Sequence, residues 1–104
     1  MNKIQEKIKI FCKKYKLSTP IEYKILDTMS ELGELSKEIL RSSDYGKNKI
    51  ELNHKIKLEL GDVLFSLITI ANSLDVDLNK SLNEVLEKYI ERIKKGSSPD
   101  SNND

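Results

Sequence analysis

Apolar side chains recur along this chain in four separate stretches, each with the three-and-four spacing that lines one face of an α-helix. Ile4, Ile8, Phe11, Cys12 and Tyr15 mark the first, over residues 3–16. Ile21, Ile25, Met29, Leu32, Leu35 and Ile39 form one stripe of the second, over 20–42. The third spans 51–74 and is apolar on nearly every face between Val63 and Ala71. There Leu60, Val63, Leu64, Leu67 and Ala71 cluster on one side, with Leu58 and Phe65 roughly opposite. Leu78, Leu82, Val85, Leu86, Tyr89 and Ile93 mark the inward face of the fourth, over 78–95. No segment alternates with the period of two that a half-buried strand needs. The pattern predicts an all-α protein, a four-helix bundle-like unit.

The breaks between these stretches carry their own chemistry. Thr19-Pro20-Ile21-Glu22 predicts a helix start with Thr19 as N-cap, Pro20 in the first turn and Glu22 completing a capping box. Residues 42–49 read as a loop turning at Asp44-Tyr45-Gly46. Asp77 is predicted to cap the fourth helix, and Gly96 to end it. Residues 1–95 then form a single domain, and 96–104 a polar tail without apolar anchors, expected to be disordered. A helix that is apolar all round must be buried all round. Three other short helices offer the third too little cover, so a second copy of the chain is expected against it, in a homodimer or homotetramer.

Composition narrows the function classes. With 104 residues and a formal net charge of +1, the chain is one domain with no global attraction to nucleic acid. Basic residues crowd the N-terminus (Lys3, Lys7, Lys9, Lys13, Lys14, Lys16) and the end of the fourth helix, where they read as solvated faces and as complements to a helix dipole. The single cysteine, Cys12, rules out an intrachain disulfide and fits a reducing, cytoplasmic setting. No apolar run approaches the roughly 20 residues of a membrane-spanning helix, and the charged start lacks a signal peptide's apolar core, so no membrane partner is expected.

Two acid pairs hold the candidate chemistry. Glu31 and Glu34 lie in Glu31-Leu32-Gly33-Glu34, and Glu59 and Asp62 in Glu59-Leu60-Gly61-Asp62. At i, i+3 each pair projects from one side of its helix, about 5–6 Å apart at Cβ. On antiparallel neighbours the two acidic strips line one cleft, Glu31 and Glu59 bordering the packing seam and Glu34 and Asp62 farther out. Four carboxylates so placed repel one another unless a cation compensates them, and an oxygen-only set suits Mg²⁺ or Mn²⁺. Gly33 and Gly61 cost roughly 1 kcal/mol each relative to alanine in a helix interior. A missing side chain beside each acid pair allows close helix approach or ligand access, or is merely tolerated. The rival reading is ordinary surface charge: a chain with 17 acidic residues produces i, i+3 pairs by chance, Glu84–Glu87 among them.

Ser30-Glu31-Leu32-Gly33-Glu34-Leu35, then Glu59-Leu60-Gly61-Asp62-Val63-Leu64-Phe65, with 24 residues between Glu34 and Glu59, resembles the MazG-like all-α nucleotide pyrophosphohydrolases and their ExxE…ExxD pattern. The stretch Ile70 to Leu78 is similar to the family's approach to its last helix, and the resemblance covers about residues 20–95. It implies metal ligands at Glu31, Glu34, Glu59 and Asp62, and Mg²⁺-dependent hydrolysis of a nucleoside triphosphate to the monophosphate and pyrophosphate. Glu34 or Glu31 would act as general base. Ser30 stands where many members have a further glutamate. Lys88 and Arg92 match the family's phosphate-contacting positions, with Tyr89 where an asparagine is usual. Tyr23, Tyr45, Phe65 and Asn72 are candidates for base contact. The alternatives are a non-catalytic dimeric helical interaction or regulatory module and, behind it, a di-iron bundle. The latter uses Glu-x-x-His pairs, and the single histidine, His54, falls in neither acid pair.

Overall fold

The computed structural model describes residues 2–96 as four helices: α1 (Lys3–Lys14), α2 (Ile21–Ser42), α3 (His54–Ser73) and α4 (Leu78–Lys94). No strand occurs among the described residues. The polar tail, from residue 97 on, lies outside them.

Side chains start three of the helices. Asn2 accepts from the Gln5 amide at 2.9 Å, Asn53 from Ile56 at 2.8 Å and Asp77 from Asn79 at 3.0 Å. Each satisfies a first-turn N–H that has no partner within its helix. The Asn53 cap delays α3 to His54, past the start expected at 51. At α2 the expected capping box is not formed. Pro20 keeps an extended ψ of 145° and occupies the cap position itself, which leaves Thr19 outside it. The Pro20 carbonyl instead accepts from Tyr23 and Lys24 at 3.0 and 3.2 Å. Gly96 follows α4 with φ +78°, a left-handed closing residue, and donates to Ile93.

Helices α2 and α3 form an antiparallel hairpin. Lys24 Nζ near the start of α2 donates to Ser73 Oγ at the end of α3 (2.8 Å), while Glu38 near the end of α2 pairs with Lys55 at the start of α3 (3.4 Å). α1 runs antiparallel along the outer side of α3: Phe11 meets Phe65 edge-on at 6.0 Å, and Gln5 meets Asn72. The core lies along α3, with Ile56, Ile68 and Ala71 buried, and is joined by Leu35 of α2.

The face that α2 buries is not its most apolar stripe. Lys24, Thr28, Glu31, Leu35 and Glu38 turn toward α3, while Ile25, Met29 and Leu32 are exposed. Glu31 therefore lies in the packing seam rather than beside it. α3 presents Leu58, Leu60, Leu64 and Leu67 outward. α4 is amphipathic as expected, but its apolar side does not face inward. Leu82, Leu86 and Ile93 are exposed, the helix buries no residue, and it is seated on α1 and α3 only around Leu78, Asn79 and Leu82. The four helices form the all-α unit expected, with α4 standing off its far end, and the radius of gyration is 16.9 Å, against about 13 Å for a compact domain of 100 residues.

Candidate metal centre

The antiparallel register of α2 and α3 decides which acids meet. Glu31, midway along α2, faces the first half of α3, where Glu59 and Asp62 stand one turn apart. One carboxylate oxygen from each of these three side chains lies within 4.8 Å of the others. Glu31 and Glu59 are partly buried between the helices, and Asp62 is exposed at the rim. Glu34, one turn after Glu31, is exposed and stands outside the close group.

The field at this point is negative, and no ion pair among the described residues reaches these three carboxylates. Partial burial of the Glu31 carboxyl, then repulsion from Asp62, Glu59, Glu34 and Asp27 in that order, holds its pKa above the usual carboxylate range. Both described ion pairs go elsewhere, to Glu38 from Arg41 (3.8 Å) and from Lys55 (3.4 Å). Three converging oxygen ligands without a basic neighbour fit a hard divalent cation, and carboxylates of this kind are the usual protein ligands of Mg²⁺ and Mn²⁺. Asp27 was not singled out from the sequence, although its i, i+4 spacing to Glu31 places it on the same side of α2.

The other candidates are distributed differently. Lys88 and Arg92 flank Tyr89 on α4, with Lys88 Nζ 5.8 Å and Arg92 Cζ 5.9 Å from the ring centre. They belong to a helix that packs on neither acid-bearing helix beyond its first turns. Asn72 has both ends of its amide bonded to Gln5: Oδ1 accepts from Gln5 Nε2, and Nδ2 donates to the Gln5 carbonyl, each at 3.1 Å. Tyr23 and Tyr45 are exposed, Phe65 is half-buried against Phe11, and His54 is exposed as the first residue of α3. A Cβ built on Gly33 or Gly61 would meet open space, so neither glycine is required by close approach of another helix within the chain. No described helix is long and apolar enough to cross a membrane.

Known proteins are similar to this chain in sequence and in fold. Residues 21–97 match the MazG nucleotide pyrophosphohydrolase domain. The uncharacterized protein YpjD of Bacillus subtilis (strain 168) is 40% identical over 65 residues, which span 62% of this chain and 59% of that protein, so the match stops short of two thirds of that relative's length. Its crystal structure superposes with a TM-score of 0.69 at 32% identity, covering 86% of this chain and 91% of that one. The crystal structure of the Bacillus-conserved MazG protein, a nucleotide pyrophosphohydrolase, gives a TM-score of 0.69 at 30% identity over 83% of this chain and 84% of that one. With its four helices and with more than half its length in the matched domain, the chain belongs to the MazG nucleotide pyrophosphohydrolase family.

Proposed function

We propose that the chain hydrolyses a nucleoside triphosphate to the monophosphate and pyrophosphate, with Mg²⁺, or Mn²⁺ in its place, as the working cofactor. The observation that carries this reading is the convergence of Glu31, Glu59 and Asp62 within 4.8 Å, with no ion pair to any of them among the described residues. These three side chains would hold the ion, with Glu34, one turn along α2, as the fourth candidate ligand. When bound, the ion supplies positive charge to the phosphate oxygens and to the leaving pyrophosphate. A carboxylate oxygen of Glu31 or Glu34 not used as a ligand accepts the proton of the attacking water. Lys88 and Arg92 bind phosphate oxygens and stabilise the departing charge. Asn72, engaged with Gln5, holds structure rather than substrate in this scheme.

The same reading includes a second copy of the chain against α3, as homodimer or homotetramer. The outward leucines of α3 and the unpartnered apolar side of α4 support it. So does the distance of Lys88, on α4, from the Glu31–Glu59–Asp62 cluster of the α2–α3 hairpin, since packing between copies can bring α4 to such a cluster.

The test is a panel of nucleoside triphosphates with Mg²⁺, scored for pyrophosphate rather than orthophosphate. Native protein is expected to release pyrophosphate from at least one of them. Glu59→Gln and Asp62→Asn are expected to abolish that release with the helical circular dichroism intact. Unchanged turnover in these variants, or orthophosphate as the product, overturns the assignment.

A further inference from the structure

Gln5 is fully buried, on a helix whose other residues are mostly exposed. Its carboxamide uses all of its bonding capacity. Nε2 donates to Asn72 Oδ1 (3.1 Å) and to the Val76 carbonyl (2.8 Å), while Oε1 accepts from Asn2 Nδ2 (2.6 Å) and from the Leu78 amide (2.8 Å). Val76 and Leu78 flank Asp77, the cap of α4, so one side chain of α1 reads the link between α3 and α4 on both sides of the cap. Leu78 opens α4, and its N–H has no acceptor within the helix; Gln5 supplies one. Only an uncharged amide offers donors and acceptors together in one plane. A glutamate lacks the donors, and a lysine or arginine lacks the acceptor.

The grip matters because, among the described residues of the chain itself, little else holds α4. The helix buries no residue, and its seat on the other helices is limited to its N-terminal end. From Leu78 to Lys88 is about 15 Å along the axis at 1.5 Å per residue, so a tilt of about 10° at the root moves Lys88 by roughly 2.6 Å. A misplacement of about 1 Å is enough to cost on the order of 100-fold in a positioned reaction.

We propose that Gln5 is a positioning residue for substrate: by clamping Val76 and Leu78 it sets the direction of α4 and so the place at which Lys88 and Arg92 meet the phosphates. The proposal rests on the phosphate role given to those two residues above. Gln5 also lies outside residues 21–97, the part that matches the family domain, so the clamp belongs to the N-terminal helix of this chain.

Calorimetric titration of the full chain with Mn²⁺ alone, and then with inorganic triphosphate in the presence of Mn²⁺, separates positioning from general damage. Gln5→Leu is expected to bind Mn²⁺ within about twofold of native affinity, because the acids lie on the α2–α3 hairpin. It should bind triphosphate at least tenfold more weakly, as should Lys88→Ala, and the double variant should lose little beyond either single one. Gln5→Glu, which keeps the acceptor for Leu78 and loses both donors, should fall between native and Gln5→Leu. Native triphosphate affinity in Gln5→Leu, or independent losses that multiply in the double variant, overturns the proposal while leaving the role of α4 standing. Native affinity in both Lys88→Ala and Arg92→Ala removes the phosphate role of α4 and the proposal with it. Loss of the helical signal in both Gln5 variants makes Gln5 a folding residue and overturns the positioning role.

Discussion

At the scale of single residues, Glu31 sets the pH response. Burial and its acidic neighbours Asp62 and Glu59 on α3 and Glu34 and Asp27 on α2 raise its pKa on folding above the ordinary value of 4.5. The folded state therefore holds the Glu31 proton at a pH where the unfolded chain has released it. Stability from this group is fully present below the unfolded value and is lost as pH rises through the folded one. Metal-free protein is expected to melt at progressively lower temperature as pH climbs across that window, and Glu31→Gln to flatten the trend and raise the melting temperature at neutral pH. Mn²⁺ competes with the proton for the same oxygens, so its stabilisation should grow with pH in native protein and shrink sharply in Glu31→Gln. Differential scanning fluorimetry across pH, with and without Mn²⁺, checks both trends. The acid pairs were visible in the sequence because i, i+3 spacing fixes an angle around the helix axis. The sequence also set Glu31 nearer the packing seam than Glu34; that Asp62 joins the close group while Glu34 stands outside it depends on the register of α2 against α3, which spacing within one helix does not give. Asn72 likewise reads as a polar residue near a cleft, and nothing in its own neighbourhood names Gln5, 67 positions away, as its partner.

At the scale of helices, local signals and tertiary ones separate cleanly. Helix number, most boundaries, the Asp77 start and the Gly96 stop of α4 follow from periodicity and capping, which are properties of a few neighbouring residues. The orientation of α2 does not. Its apolar stripe through Ile25, Met29 and Leu32 was the natural choice for a core, yet α3 covers the line through Thr28, Glu31, Leu35 and Glu38. The Lys55–Glu38 pair and the Lys24–Ser73 bond pin that rotation at both ends of the hairpin. Energetic weight should follow burial rather than hydropathy. Ile68, at 2% exposure, is expected to cost about 2–5 kcal/mol on truncation to alanine. Gly61→Ala should act the other way: its Cβ meets nothing, so the helix gains up to about 1 kcal/mol. Urea unfolding at constant m-value measures both changes. A fall in pyrophosphate release in the stabilised Gly61→Ala protein would then place substrate against that glycine.

At the scale of the molecule, the unspent apolar surface demands an explanation. The chain exposes 8334 Å², where a compact monomer of 12.0 kDa exposes about 6,000 Å². The excess is carried in part by leucines arranged as helix faces: Leu60, Leu64 and Leu67 on α3, and Leu82, Leu86 and Ile93 on α4. Apolar faces of this extent are characteristic of obligate interfaces, which bury about 2,000 Å² or more in total. The proposed second copy would account for them together, covering the α3 face and giving α4 a base to lie on. Size-exclusion chromatography with light scattering is therefore expected to give a mass of at least two chains at micromolar concentration, and the melting temperature should rise with protein concentration. Leu86→Ala discriminates further. In an isolated chain its half-exposed side chain would be worth less than about 0.5 kcal/mol, as at most surface sites, whereas in an interface its loss should approach the cost of a core truncation and shift the assembly toward monomer. A stable 12.0 kDa species with a concentration-independent melting point would leave α4 without a seat. It would also leave Lys88 and Arg92 without an acidic cluster to approach, and the scheme in which they hold the phosphates would fall with the oligomer.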